Sequence, residues 1–146
     1  MRMKLLRLVL LAFLLMPFGS CTHNDGDIGL LFGSWHLTEM TVDGERVADY
    51  DGDVFWMFQN SVVCMRQVLP YHEVDERWGD WRWAAKDELL LNFNHSDDLR
   101  DPDDQSYLPL PQMGLIAGDN VMHVEHLTGN RMRLSYENRV YVFKKH

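Results

Sequence analysis

The stretch SWHLTEMTVDG, residues 34–44, decides the fold. It mixes an aromatic, long apolar and β-branched residues, then stops at Asp43-Gly44, a dipeptide that turns one strand back on the next. Alternation puts Trp35 and Leu37 on one face but Met40 and Val42 on the other. A half-buried strand changes parity only by taking in an extra residue, so a bend or bulge is expected near Thr38-Glu39.

Working outward, the same texture repeats. DYDGD (49–53) reads as a loop, and VFWMFQ (54–59) as an aromatic strand that turns at Asn60-Ser61 into SVVCMRQVLPY (61–71). ERWGDWRWAA (76–85) carries Trp81 and Trp83 on one face, and ELLLNFN (88–94) alternates Leu89, Leu91 and Phe93. AAKDELLL holds good helix formers. Its place between aromatic strands at hairpin spacing favours strand, with the turn at Lys86-Asp87. After an interruption come NVMHVEHL (120–127), a turn at Thr128-Gly129-Asn130, RMRLSYE (131–137) and RVYVFKKH (139–146). In the last of these Val140 and Val142 share one face, Tyr141 and Phe143 the other.

The interruption runs from Asn94 to Gly114, with three prolines and Asp97, Asp98, Asp101, Asp103 and Asp104. It reads as a loop over one end of the domain with room for a short helix. Many antiparallel strands in one small chain imply a closed barrel or a sandwich. A barrel of about eight strands is filled by its own side chains or holds one small ligand.

The N-terminus gives an address. Arg2, Lys4 and Arg7 precede LVLLAFLLM (8–16), which is shorter than the roughly 20 residues a spanning helix needs. A basic start, a short apolar core and small residues before a cut define a secretory signal, here residues 1–20. Phe18-Gly19-Ser20-Cys21 resembles the lipobox of bacterial lipoproteins. That resemblance implies that Cys21 carries lipid, such as palmitate, and becomes the mature N-terminus. With Thr22 rather than Asp after the cysteine, the same resemblance implies the outer membrane, facing periplasm or surface. Residues 21–30 are then a tether and 31–146 the folded domain.

Loss of the three leader bases changes the formal charge from −8 to −11. So acidic a domain repels phosphates, which argues against a nucleic-acid partner. With Cys21 lipidated, Cys64 is left without a partner for a disulfide. It sits in an apolar run and reads as a small buried hydrophobe.

Leu31-Phe32-Gly33-Ser34-Trp35-His36-Leu37 resembles the Gly-x-Trp opening of lipocalins and related calycins, and residues 139–145 resemble the final strand of bacterial lipocalin-like lipoproteins. The resemblance implies an antiparallel up-and-down β-barrel of about eight strands, all-β, with Gly33 and Trp35 closing its base. It also implies an interior for a small apolar or amphipathic molecule. Candidate ligand-facing residues are Trp56, Phe58, Met65, Trp81, Trp83, Leu91 and Met122. If those side chains pack the barrel solid, the alternative is an accessory lipoprotein that binds an envelope protein or glycan through exposed aromatic residues and the Asp-rich loop.

Other chemistry finds little footing. His123-Val124-Glu125-His126 puts His123 and Glu125 on one face of a strand and His126 on the other, so the three do not share one ion, and metal or haem chemistry would need a single inward histidine, His123 or His126, with an open coordination position. Asp49 to Asp53 starts like a calcium loop, but the sixth and twelfth positions hold Val54 and Asn60 rather than Gly and Glu. No nucleophile elbow, metalloprotease helix or phosphate loop is present. The expectation is a non-catalytic protein with no cofactor and no metal.

Overall fold

The computed structural model describes residues 29–94 and 104–146. The leader, Cys21, the tether to residue 28 and residues 95–103 lie outside the described residues. Nine strands follow in chain order: β1 (Gly33–Val42), β2 (Glu45–Arg46), β3 (Val54–Gln59), β4 (Val62–Val68), β5 (Val74–Ala85), β6 (Glu88–Phe93), β7 (Gly118–Leu127), β8 (Arg131–Tyr136) and β9 (Arg139–Lys145). All pairings are antiparallel, and sequential neighbours pair throughout from β3 to β9. β1 pairs with β3 on one side and β9 on the other, so eight strands close into a barrel. The short β2 only extends the hairpin that leaves β1. Closure removes the raw sheet edges that invite association.

The hairpin chemistry matches the sequence. Asp43 and Gly44 both have positive φ, at 54° and 82°, the paired requirement of the turn that suits strand twist. The expected irregularity in β1 is a register shift against β9 between Leu37 and Glu39. Its effect is to bring Met40 back to the face of Trp35 and Leu37, and all three are buried. AAKDELLL is strand, with β5 running to Ala85 and β6 starting at Glu88. β5 begins at Val74, two residues earlier than its sequence pattern suggests.

Both ends of the barrel are built by named contacts. At the base, the chain before β1 crosses the opening and drops Leu31 into it. The buried Trp35 Nε1 donates to the Leu31 carbonyl at 2.7 Å. Lys145 Nζ lies 4.2 Å from the centre of the Trp35 ring and donates to the carbonyls of Leu30 and Phe32. Gly33 has φ of +116°, and a Cβ there would meet Lys145 Cε at 3.0 Å, so the residue is glycine on both counts. At the opposite end, the segment from Asp104 to Ala117 forms two 3-10 turns, Gln105–Tyr107 and Pro111–Met113, and sends Leu110 and Met113 fully into the barrel. The predicted loop over one end is therefore a plug in its described part.

Between the ends runs a continuous core. Trp56 lies 5.6 Å from Tyr141 and 5.0 Å from Phe143, ring centre to ring centre, which joins β3 to β9 across the interior. Phe58 meets Trp81 edge to face at 5.7 Å.

Candidate functional site

Trp56, Phe58, Met65, Leu91 and Met122 point into the barrel and are fully buried. They touch one another, the Leu31 base and the Leu110–Met113 plug within a single cluster. Trp81 is partly buried against that cluster. Trp83 departs from expectation. It has inward parity, opposite the buried Leu89, yet is 42% exposed. The reason is strand length: β4 starts at Val62, which pairs with Asp80, so β5 continues past its neighbour and Trp83 stands beyond the barrel wall.

Two interior donors, Trp56 Nε1 and Trp81 Nε1, are buried with no hydrogen-bond partner among the described residues. Each is an energetic debit of roughly 1–3 kcal/mol.

Polar residues at inward parity gather where the plug enters. Arg77, opposite Met65, makes a two-pronged pair with Asp75 at 2.5 and 2.9 Å and donates to the Gln105 carbonyl at 2.9 Å. Gln67 donates to Asp53 at 2.7 Å and accepts from Gln112 at 2.9 Å. Asn120 is fully buried; its amide donates to the carbonyls of Ile116 and Gly118 and its oxygen accepts from the Ile116 N–H. Tyr141 OH donates to the Met113 carbonyl at 2.6 Å. Sequence reasoning passed over all of these. The signal was there in Asp75 and Arg77, charges on the same alternation as Trp81 and Trp83.

His123 and His126 lie on the outside of the barrel, and both are exposed. A register shift between Val124 and His126 sets His126 opposite Arg133 on the outer face, which corrects the opposite-face reading from simple alternation. Glu125 pairs with Arg133 at 2.5 Å, and that bond draws its carboxyl below the usual range. Cys64 is buried on the outer side between Met57 and Trp78, and burial pushes its thiol up to about 12, in keeping with an inert residue.

The clefts seen here open on the outer surface. One, of about 390 Å³, lies on the flank where β4, β5 and β6 meet the start of the plug. Trp78 and Tyr107 supply rings, and Asp80, Asn92 and Asn94 supply polar groups. Gly79 lines its wall, and a Cβ there would stand 2.6 Å from the Asn92 carbonyl and 2.9 Å from the Phe93 ring. Trp78 is 37% exposed.

A family profile described as a lipocalin-like domain matches residues 13–146. The chain belongs to the lipocalin-like family. The fold agrees with two solved structures. A lipocalin-like protein from Bacteroides uniformis ATCC 8492 is 22% identical with a TM-score of 0.61, covering 81% of this chain and 100% of that one. An uncharacterized protein from Bacteroides eggerthii DSM 20697 is 24% identical with a TM-score of 0.62, covering 80% of this chain and 99% of that one. No curated protein matches the sequence. The lipocalin-like barrel is generally a binding fold, so this is a protein of the binding type. Gly33 and Trp35 of the Gly-x-Trp opening sit at the end of the barrel where Leu31 and Lys145 meet the Trp35 ring.

Proposed function

We propose that this lipocalin-like protein is a lipid-anchored envelope lipoprotein that binds a glycan on the outside of its barrel, without catalysis. The observation that carries this reading is the filled interior. Of the positions expected to face a ligand, Trp56, Phe58, Met65, Leu91 and Met122 pack in one buried cluster with Leu110 and Met113 of the plug. The flank cleft offers what a saccharide requires: the Trp78 and Tyr107 rings for the apolar face of a sugar, and the Asp80, Asn92 and Asn94 side chains for its hydroxyls. Cys21, after its Gly-Ser pair, holds the domain to the outer membrane, and the acidic charge keeps it in solution at the surface.

The test is native mass spectrometry of the full chain purified from its own envelope, with envelope oligosaccharides added in turn. The expected result is no co-purifying apolar mass and a saccharide adduct that Trp78→Ala abolishes at unchanged melting temperature. An apolar molecule released only on denaturation would return the binding site to the interior and overturn the reading.

A further inference from the structure

The barrel's base carries apolar side chains that the core does not use. Leu30 is 55% exposed, Phe32 40% and Trp83 42%. All three stand at one end. Leu30 and Phe32 belong to the crossing that closes the base, and Trp83 belongs to the part of the β5–β6 hairpin that runs past β4. Aromatic rings with one polar edge favour the boundary between water and lipid.

Charge sorts along the barrel in the same sense. The base end carries exposed Lys86, Arg131 and Lys144 against Asp87 and Glu88. The connections at the plugged end carry Asp49, Asp51, Asp53, Glu73, Asp104 and Glu137. A domain so polarised turns its base to an anionic surface and its plugged end away from it.

A second cleft makes the point sharper. Arg131 and Lys144 are directly opposite in the β8–β9 register, and like charges so placed repel. No carboxylate among the described residues pairs with either. Together with His126 and Arg133 they line an outer groove of about 360 Å³. Arg133 is neutralised by Glu125, which leaves Arg131 and Lys144 as the groove's open cations. The groove is therefore suited to an anion with oxygens on several sides.

The chain itself supplies the approach. Cys21 is nine residues before Leu30, and a fully extended chain advances at most ~3.3–3.6 Å per residue, so lipid at Cys21 holds the base within about 30 Å of the bilayer. We infer that the base is a membrane seat: Leu30, Phe32 and Trp83 enter the headgroup boundary, and the Arg131–Lys144 groove takes the phosphate of an anionic phospholipid. The plugged end then faces away from the membrane surface. This inference rests on the lipid-anchor part of the proposed function and not on the glycan part.

The full chain, purified from its envelope, is reconstituted into phosphatidylethanolamine–phosphatidylglycerol vesicles whose acyl chains carry bromine near the headgroup. Intact mass first reports acylation at Cys21. Bromine should quench part of the tryptophan emission. That quenched part should disappear in Trp83→Phe and persist in Trp78→Phe. Joint replacement of Arg131→Gln and Lys144→Gln should abolish the dependence of quenching on phosphatidylglycerol. An acylated chain whose Trp83 stays unquenched overturns the seat and leaves the anchor standing. An unmodified Cys21 overturns the anchor and the seat with it. Trp83 unquenched in vesicles yet shielded from iodide in intact envelopes assigns the base to a protein partner and also overturns the seat.

Discussion

Tyr141, on the last strand, donates its buried hydroxyl to the carbonyl of Met113 at 2.6 Å, so the wall of the barrel holds the plug by its backbone. Burial raises the phenol's proton affinity, which keeps it a donor. Tyr141→Phe leaves that carbonyl buried with one partner fewer. The expected loss is about 1–3 kcal/mol in urea unfolding, with faster amide exchange around Gly114 than in β3. Unchanged exchange at Gly114 would mean that packing of Leu110 and Met113 alone secures the plug.

The filled interior makes its own prediction. Leu110→Ala removes a fully buried side chain at the mouth and should cost ~2–5 kcal/mol. The space left is apolar, and such space stays dry and accepts apolar guests. The variant should take up an apolar fluorescent probe that the natural protein ignores. Equal probe uptake by both would contradict a filled barrel.

At the base, Trp35→Ala should cost ~3–5 kcal/mol, since it deletes a fully buried ring, its bond to Leu31 and the surface under Lys145. Lys145→Met keeps the packing length but abandons the Leu30 and Phe32 carbonyls, and a smaller loss is expected. Paired thermal melts of the two variants separate ring burial from carbonyl capping.

Alkaline pH should weaken the fold. Tyr50, which donates to the Leu37 carbonyl at 2.5 Å, is raised to about 12, mainly by burial and further by Asp53. Cys64 is raised to about 12, first by burial and then by Glu76. In both cases the folded protein holds its proton more tightly than the unfolded chain. Their contribution is complete below the unfolded values, 9.0 for the thiol and 10.0 for the phenol, and is lost as pH climbs to about 12. Urea midpoints should fall progressively above pH 9, and Tyr50→Phe with Cys64→Ala should flatten the decline.

Membrane fractionation tests the address. Cys21→Ser should move the protein from the membrane to the soluble fraction and remove the acyl mass. Retention on the membrane would sink the lipid anchor.

The strands were legible because their signals are local. The parity change across Leu37–Met40, the Asp43-Gly44 turn and the alternation of Leu89, Leu91 and Phe93 each depend on a few adjacent residues, and each has its counterpart in the fold. What escaped depends on distance. Trp83 alternates correctly, but its exposure is set by where β4 begins, twenty-one residues earlier. The facing of His126 turned on a bulge that nothing in HVEHL announces. The plug was hidden among prolines and aspartates, where Leu110 and Met113 show no period and gain meaning only from Tyr141 and Gln67 on distant strands. The flank cleft likewise joins Trp78 to Tyr107 across a connection whose course no local pattern gives.

The seam between β1 and β9 has a consequence for the life of the protein. Thr38 bonds to the Val142 carbonyl and the His146 N–H to that of Ser34, across more than a hundred residues of chain. During folding the first strand must wait for the last, and until residues 139–145 arrive the sheet lies open with two unpaired rims.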